Sequence, residues 1–175
     1  MQIFVETHRL ILREIVESDV EGFFELDSDP EVHRFLGNRT VKSKEESMQV
    51  IKYVRQQYVE FGIGRWAVVE KQSGSFLGWA GIKFVTDEVN GHKNYYDLGY
   101  RFIRKYWGKG YATESALASF NYASEVLSLD QLYAATHNQN FASQKIITKL
   151  GFQFRNEFNY DGAAHFWYSV IIAGK

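Results

Sequence analysis

The chain contains no cysteine. That one absence removes disulfides, thiolate metal ligands and cysteine nucleophiles together, and it leaves the redox compartment open. Charge of one sign is also missing: 20 Lys+Arg stand against 21 Asp+Glu, with no basic block and no acidic tail. This argues against a nucleic-acid partner held by an electrostatic footprint. No apolar run approaches the ~20 residues that span a bilayer, and the opening "MQIFVETHRLILREI" lacks the basic, apolar, small-residue order of a signal peptide. A cytoplasmic location without a membrane partner is expected. No two of His8, His33, His92, His137 and His165 have zinc-ligand spacing, so no metal is expected.

What is present suits a folded domain. With 45% hydrophobic, 17% aromatic and 23% charged residues, the 175-residue chain is neither disordered nor fibrous, and it is long enough to bury a core as one domain over residues 1–175. "HRLILREI" alternates and predicts a strand over residues 8–15. In "ESDVEGFFEL", Ser18 and Glu21 have capping-box spacing and open a helix to about Asp27, stopped by Asp29 and the single proline, Pro30. "DPEVHRFLGN" reads as a helical turn ending at Gly37. A second box, Ser43 with Glu46, opens "KEESMQVIKYVRQQYVEF", which ends at Gly62.

Aromatic and β-branched residues then dominate. "RWAVVEK", "SFLGWAGIKFV" and "YYDLGYRFI" predict an antiparallel meander. "GYATESALASFNYASEVLS" places Ala112, Ala116, Phe120, Ala123 and Leu127 near one helical face. "QLYAATH" reads as a strand and "NFASQKIITKL" as a helix closed by Gly151. "FQFRNEFNY" and "AHFWYSVII" read as a terminal pair turning at "DG". The order β-α-α-β-β-β-α-β-α-β-β, without repeats or a linker, is that of a mixed α/β (α+β) fold.

Two glycines in "KYWGKGYATE" stand between a strand and a helix, although glycine weakens both. A helix N-terminus offers unpaired N–H groups and partial positive charge, and glycines let backbone approach an anion, so Gly108 and Gly110 form a candidate phosphate loop. A P-loop is excluded, because Lys109 is followed by Gly110 rather than by Ser or Thr. The dinucleotide pattern lacks its third glycine at Thr113 and would follow the first strand of a parallel unit, not a meander. The plain alternative is that both glycines serve the turn alone.

"DLGYRFIRKYWGKGYATESA" followed by "LYAATHNQNFASQKIITKLGF" resembles the acetyl-CoA-binding half of the GNAT superfamily of N-acetyltransferases, in particular the RimJ/RimL-type amino-terminal acetyltransferases of ribosomal proteins. "ETHRLILREI" is similar to that subgroup's first strand. The resemblance implies a mostly antiparallel central sheet of about seven strands with about four helices, and an acetyl-CoA-dependent N-acetyltransferase acting on a primary amine. The family's pyrophosphate motif falls on Lys105, Gly108 and Gly110, with N–H groups of Trp107, Gly108, Lys109, Gly110, Tyr111, Ala112 and Thr113 toward the phosphates. Lys105 departs from the usual Arg or Gln, and Arg104 stands where many relatives have proline.

The resemblance further implies that the strand at Phe102, Ile103 and Arg104 pairs with the pantetheine arm where "LYAATH" splays away, with the oxyanion held by an N–H near Phe102 or Arg104. Asn140 and Ser143 fall at its Asn-x-x-Ser positions, Asn140 holding pantetheine and Ser143 donating to the sulfur. Asp97 is the expected proton relay through water, against the plainer reading of a solvated strand carboxylate. Glu14, Glu25 and Glu70 are weaker bases, and His137, just before the Asn-x-x-Ser segment, is read as structural more than catalytic, with a place near cofactor or acceptor as the alternative. With no cysteine and no Ser-His-acid grouping, direct attack is preferred to an acyl-enzyme. The acceptor groove is expected from residues 27–45, the helix 44–61, "TDEVNGHKN" and "NYDGAAH", and a homodimer through the sheet ends is possible. A non-catalytic CoA sensor and a purely structural domain are the competing classes.

Overall fold

The computed structural model describes residues 1–172. Its first departure from expectation is at the N-terminus, where Ile3–Glu6 (β1) and Leu10–Arg13 (β2) form a hairpin. Thr7 makes the corner: its N–H reaches Leu10 O at 2.9 Å and its Oγ1 accepts the Leu10 N–H at 2.9 Å. A strand of four residues is too short for alternation to show, and with it the expected mostly antiparallel sheet of about seven strands has eight among the described residues.

The two expected capping boxes differ in outcome. Ser18 does not cap; a 3₁₀ turn over Glu17–Asp19 leads into Val20–Ser28 (α1), and Asp19 accepts the Val16 N–H at 2.9 Å. Arg13 holds the same carboxylate at 2.6 and 2.8 Å, so a residue one position on, anchored by tertiary contact, sets the helix start. Lys44–Phe61 (α2) begins at Ser43, whose Oγ accepts the Glu46 N–H at 3.3 Å, while Glu46 turns to the Lys42 N–H at 2.8 Å. Gly62 closes it at φ 68°.

Arg65–Glu70 (β3), Phe76–Val85 (β4) and Tyr95–Phe102 (β5) form the antiparallel meander. Tyr111–Glu125 (α3) follows, then Gln131–His137 (β6), Phe141–Lys149 (α4), Gln153–Tyr160 (β7) and Ala163–Ile171 (β8). The sheet runs β1-β2-β3-β4-β5-β6-β8-β7, with one parallel junction, between β5 and β6. Helices cover both faces of its middle. Trp66 and Val68 of β3 join a core with Ala116, Ala123 and Ile147 of α3 and α4, while Ala67 between them packs with Phe23, Ile51 and Val54 of α1 and α2. A strand buried on both faces reads as a continuous apolar run, as "WAVV" does. No helix among the described residues is long and apolar enough to cross a membrane.

Candidate active site

The parallel junction opens almost at once. β5 and β6 are paired only at Asp97 and Tyr133, and no bond joins them beyond it. Ile103 donates its N–H to Leu77 O at 2.9 Å, and the β4–β5 register continues unbroken through Trp79↔Arg101 and Gly81↔Gly99. Hydrogen-bonded pairs alternate along an antiparallel ladder, so the backbone groups of Tyr100 and Phe102 point away from β4 into the gap. The expected pairing edge is thus Tyr100 and Phe102. Ile103 is a correction: its N–H is engaged and its side chain is buried with Leu26 and Val32. The Phe102 carbonyl is itself covered by the Trp107 indole N–H at 2.8 Å.

A cavity of about 360 Å³ lies along this edge, lined by Tyr100, Phe102, Trp107, Gly108, Asn140 and Ser143 among others. The glycine loop closes one end. Gly108 at φ 72° and Gly110 at φ 80° occupy the left-handed region, and a Cβ on Gly108 would meet nothing within 4 Å. Glu114 is the first residue of α3 to donate within the helix, to Gly110 O at 3.0 Å, and the N–H groups from Gly108 to Thr113 make no hydrogen bond among the described residues. Unpaired amides at an open helix start are what a pyrophosphate requires. Arg104 is exposed, and Lys105 pairs with Glu25 of α1 at 2.6 Å.

Arg9 steadies the loop, a role its position in the chain gave no sign of. Its guanidinium donates to Lys109 O at 2.8 Å, lies 4.5 Å over the Tyr111 ring and pairs with Glu114 at 2.6 Å. Glu114 also accepts from Thr7 Oγ1 at 2.6 Å. Burial works against its charge, yet these hydrogen bonds hold it below the ordinary carboxylate range.

A second cavity, of about 170 Å³, opens from the first and shares Phe35, Leu36, Tyr100, Arg101, Asn140 and Ser143 with it. Asn140 caps α4 by accepting the Ser143 N–H at 3.2 Å. That cap turns Ser143 Oγ to within 3.1 Å of the Tyr100 hydroxyl, at the junction. Tyr100 was not anticipated. Burial pushes its phenol up to about 12 against the opposing hydrogen bond with Ser143, so it keeps its proton at neutral pH.

Asp97 lines the smaller cavity, but it is not a solvated carboxylate. Its Oδ2 is bonded to the guanidinium of Arg65, which also donates to Gly81 O at 2.5 Å and Asp97 O at 2.7 Å. Gly99 permits this, since a Cβ there would stand 2.6 Å from the Arg65 guanidinium. Arg65 and Arg101 both lie over the Trp79 ring, at 5.3 and 5.0 Å. Arg101 pairs at 2.6 Å with Asp27, which also meets His33 at 3.0 Å. Asp27 thereby ties the turn carrying Phe35 and Leu36 to β5.

His137 and His165 complete the wall. Of the expected acceptor-groove segments, the turn after α1 and the β7–β8 end contribute, whereas α2 and "TDEVNGHKN" do not. Glu14, Glu25 and Glu70 also stand outside it, bonded to Arg55, Lys105 and Tyr111. A further cavity, about 550 Å³, lies between β1 and α3 and includes neither Ser143 nor the glycine loop. No group of three or more metal-ligating side chains occurs among the described residues.

Solved structures share this fold, and curated relatives share part of the sequence. The chain is 30% identical over 149 residues to the "uncharacterized N-acetyltransferase YoaA" of Bacillus subtilis, covering 85% of this chain and 82% of that one. It superposes on a GNAT-family acetyltransferase of Bacillus anthracis with a TM-score of 0.78 at 22% identity, over 98% and 99% of the two chains. It superposes on RimL, a ribosomal L7/L12 α-N-protein acetyltransferase in complex with coenzyme A, with a TM-score of 0.79 at 16% identity, over 99% and 100%. Residues 9–153 match the acetyltransferase (GNAT) domain, and the chain belongs to that family, an N-acetyltransferase that takes its acetyl group from acetyl-CoA.

Proposed function

We propose that the chain acetylates amino-terminal α-amines in the manner of the RimJ/RimL-type enzymes, with acetyl-CoA along Tyr100 and Phe102 and the acceptor entering the smaller cavity. The observation that carries this is the junction at Ser143, where the cavity along Tyr100 and Phe102 meets a smaller one. About 170 Å³ is well below the ~300–1,000 Å³ that encloses a drug-sized ligand, so the smaller cavity takes the amine end of a larger acceptor. An α-amine has an unperturbed pKa of roughly 7.7–8.0 against ~10.4 for lysine, so it is the amine most readily present as the neutral nucleophile.

In this reading the amine nitrogen attacks the thioester carbonyl directly. The gap-facing N–H groups of Tyr100 and Phe102 supply donors for the oxyanion. As the C–S bond breaks, Ser143 gives its hydroxyl proton toward the sulfur while Tyr100 donates to Ser143 Oγ, which strengthens Ser143 as a donor. N–H groups from Gly108 to Thr113 hold the pyrophosphate, and Asn140 orders the start of α4. Asp97 keeps one oxygen free of Arg65 and offers it to the incoming ammonium; this positioning role replaces the relay expected of it. The enzyme would act in the cytoplasm, where ribosomal substrates lie, and the open edges of β1 and β7 offer a homodimer contact.

The test is calorimetric titration with acetyl-CoA followed by a thiol-release assay over an amine panel that includes ribosomal-protein amino-terminal peptides. Release on peptide α-amines supports the proposal. Release only on polyamines, free amino acids or antibiotic amines overturns the acceptor class, and binding without release on any amine returns the CoA-sensor alternative.

A further inference from the structure

The acceptor cavity holds two histidines whose ring protons are assigned by the backbone around them. His137 and His165 stand opposite each other in the β6–β8 register, with ring centroids 5.3 Å apart. The Gln139 N–H donates to His137 Nδ1 at 3.1 Å, so the neutral ring carries its proton on Nε2 and has no free lone pair. At His165 the pattern is reversed. Nδ1 lies 3.0 Å from the Ala163 carbonyl, which can only accept; Nδ1 therefore carries the proton and leaves Nε2 as a lone pair with no partner among the described residues. The same side chain lines the 170 Å³ cavity with Ser143 and Tyr100.

We propose that His165 is the general base of the reaction, taking the proton of the acceptor's ammonium on Nε2. This rests on the assignment of the smaller cavity to the acceptor. The proton moves from the ammonium to Nε2, and the freed lone pair forms the C–N bond at the thioester carbonyl. Collapse breaks the C–S bond as the second proton passes from the adduct nitrogen through the Ser143 hydroxyl to the departing thiolate, and the imidazolium returns the first proton to solvent, giving amide and free coenzyme A. Of the cavity's other titratable groups, Arg101 is bonded to Asp27, Tyr100 keeps its proton and His137 can only donate, while Asp97, bonded to Arg65 through one oxygen, holds the ammonium with the other. On the outer side, Phe158 and Tyr160 of β7 pack against the His165 ring at 6.0 and 5.6 Å. Burial and the neighbouring His165 both lower His137 below the ordinary imidazole value.

Two measurements test the base. In the unmodified enzyme with acetyl-CoA bound, nitrogen NMR of labelled histidines should show His165 as the Nδ1–H tautomer; an Nε2–H tautomer overturns the proposal whatever the acceptor. His165→Asn keeps an amide N–H for Ala163 but has no ring lone pair. It should lower kcat/KM by ~100-fold, remove the acidic limb of the pH–rate profile, leave the acetyl-CoA Kd unchanged and be partly rescued by added imidazole. If that variant melts early, His165→Gln is read in its place. Wild-type rate and profile in the folded variant overturn the proposal, whereas failure of the wild type to bind acetyl-CoA overturns the site assignment instead.

Discussion

Tyr100 and Ser143 stand hydroxyl to hydroxyl at 3.1 Å, across the gap where β5 parts from β6. One comes from a strand and the other from the first turn of a helix 43 residues later, so neither position implies the other in the chain. Tyr100 keeps its proton, so in the proposed reaction the pair would act as a donor chain toward the sulfur, and its members should fail together.

Ser143→Ala should lower kcat by up to ~100-fold and Tyr100→Phe by ~10-fold, both with little change in acetyl-CoA Kd. The double variant should be no slower than Ser143→Ala, because removing the terminal donor leaves Tyr100 nothing to act through. Steady-state kinetics on the three proteins checks this, and multiplicative losses would separate the two hydroxyls.

Gly110→Asp places a side chain at φ 80° and a carboxylate against the proposed pyrophosphate position. Acetyl-CoA affinity should fall by at least ~10-fold, equivalent to about 1.4 kcal/mol, measured by calorimetry. Trp107 is 48% exposed beside the same loop, while Trp66 and Trp167 are buried, so acetyl-CoA should change the tryptophan emission. Trp107→Phe should abolish most of that change; an unaltered response would move the cofactor off this edge.

Asp27 predicts an acid limit on stability. Burial works against its charged form, but the hydrogen bond with His33 and the Arg101 guanidinium outweigh it and hold the carboxyl below its ordinary 3.8. A folded-state value below the unfolded one contributes stability that is complete above about pH 4 and is lost as pH falls through the folded value. Asp27→Asn should flatten that part of the melting-temperature profile against pH. Asp27→Ala should cost ~3–5 kcal/mol at pH 7, since it strands Arg101 in a buried pair.

Much of this fold was legible because local physics governs it. Ser43 ahead of Glu46 and Gly62 after Phe61 bound α2 as expected, and Asp161-Gly162 turns β7 into β8. The glycine loop could be read because left-handed backbone before a helix leaves few residues to choose from. β1 was not legible, being four residues long, and Ser18 makes no cap because a 3₁₀ turn, fixed by Asp19 between Arg13 and the Val16 N–H, precedes α1.

By itself, the sequence determined the alternation of strands and helices, the open amides after Gly108 and the exclusion of cysteine chemistry, since each depends on residues adjacent in the chain. The tertiary structure decided what the site's side chains do. Asp97 became half of an ion pair because Gly99 lets Arg65 cross β5, and Ile103 lost its N–H to Leu77 through strand register. His165 gained its free Nε2 from a carbonyl two residues away, in a cavity that exists only once β6 and β8 pair. Ion pairs, strand register and the cavity into which a lone pair can open follow from segments distant in the chain, and spacing along one chain does not encode them.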